Sequence, residues 1–92
     1  MIERRVKITN RLGLHARAAA LLVRTANSFE SRLKLERADR TAAADAKSIL
    51  SVLMLAASRG TELLATAEGA DELEAMSAVC GLFASGFGEN ES

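Results

Sequence analysis

The chain has 92 residues, 49% of them apolar and 26% charged, with twelve bases balanced by twelve acids. That profile excludes a disordered chain, and a length that buries about 64% of the unfolded surface supports one core and no second domain. The balance hides a split: residues 1–59 hold all twelve bases and five acids, a net +7, and residues 60–92 hold seven acids, a net −7.

Residues 2–9 alternate, with Ile2, Arg4, Val6 and Ile8 on one side, which predicts a strand. Asn10-Arg11-Leu12-Gly13 reads as a loop. From Ala16 to Asn27 the spacing turns helical, with Ala19, Leu22, Val23 and Ala26 at i, i+3, i+4 and i+7. Residues 31–37 alternate again, Leu33 and Leu35 against Arg32, Lys34 and Glu36. A turn at 38–40 leads into a short strand near 41–44, and Ile49, Leu50, Val52 and Leu53 form a short helix after start residues 45–48. Gly60 closes that connection, and 61–67 suits a fourth strand with Leu63, Ala65 and Ala67 on one face. Asp71-Glu72-Leu73-Glu74 resembles a capping box for a long helix that carries Leu73, Met76, Val79, Cys80, Leu82 and Phe83 and ends near Gly86. The order β-α-β-β-α-β-α predicts an α+β domain over 1–88, with helices on one face of a small antiparallel sheet, and a flexible acidic tail at 89–92.

Several function classes fall away. A folded unit with no net charge and no Trp or Tyr is a poor nucleic-acid binder. The apolar run 49–57 is about half of what a bilayer requires, and the charged N-terminus lacks an apolar signal region, so a cytoplasmic location is expected. Cys80 is the single cysteine, which excludes a disulfide framework; it and the Met residues read as core or filler. One Cys and one His without a motif give no metal site, and no phosphate-binding glycine loop is present, so no cofactor is expected.

The chain's one histidine, His15, stands where the glycine-containing loop meets the first helix, in Gly13-Leu14-His15-Ala16-Arg17. A neutral imidazole is a competent nucleophile near pH 7. Free backbone N–H groups at a helix start hold phosphate, and Arg17 offers a planar contact to phosphoryl oxygens. The same position also suits a plain helix cap. Thr9 to Ala19 resembles the active-site signature of the HPr family, the histidine-containing phosphocarriers of the bacterial phosphotransferase system. Ala46-Lys47-Ser48-Ile49-Leu50-Ser51-Val52-Leu53 resembles the family's regulatory serine segment, and the similarity runs over about residues 2–88.

The resemblance implies an open-faced sandwich, a four-stranded antiparallel sheet with three helices on one face. It implies that His15 is phosphorylated on Nδ1 by enzyme I and passes the group to EIIA domains, with Arg17 assisting. It implies that Ser48 is a target of an HPr kinase, where the plain alternative is a helix-capping hydroxyl. A docking face is expected from Ala16, Ala20, Arg24, Lys47, Ile49, Leu50 and Leu53, mildly basic around His15, on a monomer. The family commonly has proline where this chain has Ala18. The nitrogen-related paralogue of the same family is the alternative, which Leu82 to Phe87 and Thr9 to Gly13 also resemble; Lys47-Ser48 favours the sugar branch. A third reading is an interaction module in which His15 is only a cap.

Overall fold

The computed structural model describes residues 1–89. Four strands, β1 (Ile2–Lys7), β2 (Arg32–Arg37), β3 (Ala43–Asp45) and β4 (Glu62–Glu68), form one antiparallel sheet in the order β1-β4-β2-β3. The register pairs Ile2 with Ala67, Leu33 with Ala67 and Leu35 with both Ala65 and Ala44. Alternation therefore puts Val6, Leu33, Leu35, Ala44, Leu63, Ala65 and Ala67 on one buried face. Helices α1 (Ala16–Asn27), α2 (Ile49–Leu53) and α3 (Glu72–Ala84) are the other elements, and α1 and α3 close the core with Leu22, Met76, Val79 and Phe83. Each fully buried Leu, such as Leu22 or Leu63, contributes about 1.5–3 kcal/mol.

Three expectations need correction. β3 starts at Ala43 because Asp39 accepts from the Thr41 N–H (3.0 Å) and hydroxyl (2.5 Å), which holds 39–41 in a turn. Asp71 precedes α3 but makes no side-chain cap. Its carboxylate instead accepts from the N–H groups of Glu30 and Ser31, both at 2.9 Å, and from the Ser31 hydroxyl, tying α3 to the start of β2. These three donors hold the Asp71 carboxyl below its ordinary value, the Ser31 hydroxyl foremost. Leu73 is 71% exposed, outside the buried arc of Ala75, Met76, Val79 and Phe83.

The methionines also divide. Met76 is core, but Met54 at the end of α2 is 73% exposed, and Met1 is exposed as well. Cys80 is half-buried on the side of α3 that faces β1, and burial pushes its thiol up.

Candidate functional site

The loop before α1 is fixed by backbone. The Leu14 N–H donates to the Ala57 carbonyl at 2.9 Å, and the Asn10 amide donates to the Gly13 carbonyl at 2.8 Å. Gly13 sits at φ +69°, and a Cβ there would stand 2.7 Å from the Ala57 oxygen, so only glycine fits. The loop is thereby locked against the segment that follows α2.

His15 is the N-cap of α1, with extended backbone angles. Its Nδ1 accepts from the Arg17 N–H at 3.3 Å, and its carbonyl accepts from the Ala19 N–H at 2.8 Å. An imidazole used as an N-cap aims one ring nitrogen at the positive end of the helix. The cap leaves the ring half-buried at the helix start, a position compatible with a nucleophilic role as well as a capping one.

The first turn of α1 has no acid of its own, and the carboxylate at that end arrives from the other end of the chain. After α3 the backbone turns through Gly86 (φ +62°), Phe87 (φ +58°) and Gly88 (φ +74°), three successive left-handed residues. A left-handed phenylalanine costs about 1–2 kcal/mol. Phe87 holds it by burying its ring edge-on against Phe83, centroids 5.0 Å apart. The hook delivers Glu89. One carboxylate oxygen, Oε2, contacts the Nε2 of His15 and accepts from the Arg17 guanidinium at 2.6 Å. The other, Oε1, accepts from the Asn10 amide at 3.0 Å. Arg17 also donates to the Phe87 carbonyl at 3.0 Å. Arg17 first, then His15 and Asn10, draw the Glu89 carboxyl down to about 2.

Glu89 and Asn10 were not among the expected site residues. Residue 89, expected in a flexible acidic tail, is held by three side chains; 90–92 lie outside the described residues. The signal was the Gly-Phe-Gly step, since glycines flanking a large aromatic mark a turn around an anchored ring.

The other expected residues divide. Ala16, Arg17, Ala20 and Arg24 lie exposed on α1. Ile49, Leu50 and Leu53 are also exposed, with Leu50 at 66%, and so do not belong to the core. Met54 and Leu12 extend the set of exposed apolar side chains. Lys47 does not join His15. Its ammonium donates to the Phe29 carbonyl at 2.7 Å, beyond the far end of a helix about 18 Å long. The expected basic face is thus broken twice, by Lys47 at the wrong end and by Glu89 at the site. Ser48 is half-buried and caps α2, accepting from the Ser51 N–H at 3.3 Å. Ser51 accepts from the Asp45 N–H at 3.0 Å and so has a structural use.

The family model described as "PTS HPr component phosphorylation site" matches residues 2–85. The chain belongs to the HPr family. Phosphocarrier protein HPr of Cupriavidus necator is 47% identical over 91 residues, 99% of this chain and 100% of that protein. Phosphocarrier protein NPr of Proteus mirabilis is 44% identical over 87 residues, 95% of this chain and 96% of that protein. The crystal structure of HPr-C-His from Thermoanaerobacter tengcongensis superposes with a TM-score of 0.92 at 42% identity, covering 99% and 100% of the two chains. The open four-stranded sheet with three helices is the HPr fold. HPr proteins are phosphocarriers of the phosphotransferase system and not stand-alone catalysts. Among the described residues no helix is long and apolar enough to cross a membrane, and no group of three or more His, Cys, Asp or Glu could hold a metal.

Proposed function

We propose that this chain carries phosphoryl groups on His15 between enzyme I and EIIA domains of the phosphoenolpyruvate-dependent sugar phosphotransferase system. The observation that carries the reading is the placement of His15 as N-cap of α1, with Nδ1 at the Arg17 N–H. The Nδ1 lone pair attacks phosphorus while the bond from phosphorus to the donor leaves with its electrons. The helix start then faces the new phosphoryl oxygens, and the Arg17 guanidinium, held next to the ring by Glu89 and the Phe87 carbonyl, is near enough to turn to them. The dipole contributes roughly 0.3–1 kcal/mol, enough to hold the group without making it inert to the next acceptor.

The exposed Ile49, Leu50 and Leu53, beside the loop that the Ala57 carbonyl ties down, form an apolar docking face for successive partners. Arg24 and the exposed small residues Ala16 and Ala20 continue it along α1. Ser48 is a regulatory acceptor for an HPr kinase. Phosphate there would replace the hydroxyl cap with about −1.5 to −2 charges next to Ile49 and Leu50. The protein acts as a cytoplasmic monomer.

The test incubates the protein with labelled phosphoenolpyruvate and enzyme I and measures acid-labile, base-stable phosphate. The expected result is label on the native chain and none on His15→Ala; equal label on both contradicts the assignment. A nitrogen-regulatory role is the second reading, supported by the 44% identity to an NPr. It prevails if the nitrogen-type donor charges His15 much faster than the sugar-type donor.

A further inference from the structure

A nucleophilic imidazole has two problems that the N-cap alone solves only in part. The ring must keep one nitrogen protonated and the other free, and it must bear the positive charge that develops once phosphorus is bonded to it. The Arg17 N–H at Nδ1 marks that nitrogen as the acceptor, which requires the proton to sit on Nε2. The group resting on Nε2 is the Glu89 carboxylate. The same oxygen takes the Arg17 guanidinium, so one carboxylate restrains both the nucleophile and its helper.

The placement is built. Glu89 comes from 74 residues away, and its backbone is led there by a turn whose Phe87 ring is 1% exposed. Its second oxygen is fixed by Asn10, itself 1% exposed, whose amide also holds the Gly13 carbonyl. Two acceptors, the Gly13 carbonyl and the Glu89 carboxylate, require the amide nitrogen of Asn10 to face them. Among the described residues the buried Asn10 carbonyl oxygen has no partner, the cost of turning the amide nitrogen to those two acceptors.

We infer that Glu89 is a positioning residue for phosphoryl transfer: it holds the Nε2–H of His15, leaves Nδ1 as the nucleophile, and keeps the Arg17 guanidinium beside the ring. The inference rests on His15 being the phosphoryl acceptor. The ring keeps its Nε2 proton throughout, so no proton is exchanged as the P–N bond forms and the donor's bond to phosphorus breaks. The imidazole becomes cationic in that step, and the carboxylate already on Nε2 offsets the charge. A carboxylate orienting an imidazole through the nitrogen opposite the reacting one is the arrangement of hydrolytic triads. Here it serves an imidazole that is itself the nucleophile.

The test uses the full chain with Glu89→Ala and Glu89→Gln. Glutamine keeps an oxygen for the Nε2–H but loses the charge that holds Arg17. Two quantities are measured: the rate of phosphorylation by phosphoenolpyruvate and enzyme I, and the hydrogen-bonded ring N–H of His15 in proton–nitrogen NMR of the unphosphorylated protein. Glu89→Ala is expected to slow transfer about tenfold and abolish the ring N–H signal, with Glu89→Gln keeping the signal and transferring at an intermediate rate. A Glu89→Ala protein that transfers within twofold of the native rate, or that keeps the protected ring N–H, overturns the inference. Absence of label on the native chain would instead count against the carrier reading, and the NMR signal distinguishes the two failures because it needs no phosphorylation.

Discussion

Glu89 and His15 stand 74 residues apart in the chain, and the carboxylate of one rests on Nε2 of the other. The last described residue of the chain thereby closes the first turn of its first helix. The contact joins the acidic C-terminal third of the chain to its basic N-terminal part, at the one residue proposed to carry chemistry.

The pH response of that contact has a definite sign. The Glu89 carboxyl is lowered from 4.5 to about 2 by Arg17, His15 and Asn10. The unfolded chain thus binds the Glu89 proton first as pH falls. The contribution of these contacts to stability is complete above about pH 4.5 and is lost as pH falls toward 2. Carbon NMR of the side chain should show a midpoint near 2 in the native protein. A midpoint near 4.5 would mean that the hook is open in solution.

Gly13 is the point where the loop meets Ala57 most closely, with a left-handed φ and no room for a Cβ. Gly13→Ala should destabilise the fold by about 1–3 kcal/mol, measured by urea unfolding. It should also slow His15 phosphorylation, because the loop that sets the imidazole must move. Native stability in this variant would show that the loop adapts freely.

Ala18 is fully buried in the first turn of α1, where the backbone N–H has no intrahelical acceptor. Ala18→Pro fixes φ in the unfolded chain at no cost in hydrogen bonds. It should raise stability by about 0.4–1 kcal/mol in thermal unfolding. A lowered midpoint would mean that the ring overfills the packing beneath α1.

Leu50 is exposed and should contribute to docking rather than to folding. Leu50→Ser is expected to change unfolding free energy by less than about 0.5 kcal/mol. It should raise the KM for enzyme I roughly tenfold. An unchanged KM would move the docking face elsewhere.

Most elements were legible in the sequence because they carried a clean period, whereas the alanine run at β3 did not. Alternation marked β1, β2 and β4, and the Ala19–Leu22–Val23–Ala26 spacing marked α1 with the observed bounds. Of the candidate site, the sequence points to the local pair His15 and Arg17, whose contact lies within one helical turn. The long-range part was not legible. Nothing local ties Glu89 to Asn10 or His15, and a terminal acid in a charged tail looks like a solubilising residue until the Phe87 anchor is known. Asp71 failed as a cap for a similar reason, since its better donors, Glu30 and Ser31, lie about 40 residues away in the chain.

The proposed function puts the phosphoryl group on one named atom, Nδ1 of His15. The most direct measurement is proton–nitrogen and phosphorus NMR of the protein after charging with phosphoenolpyruvate and enzyme I. A single phosphohistidine is expected, at His15, with phosphorus bonded to Nδ1 and a proton retained on Nε2. Phosphorus on Nε2, or on any residue other than His15, would contradict it.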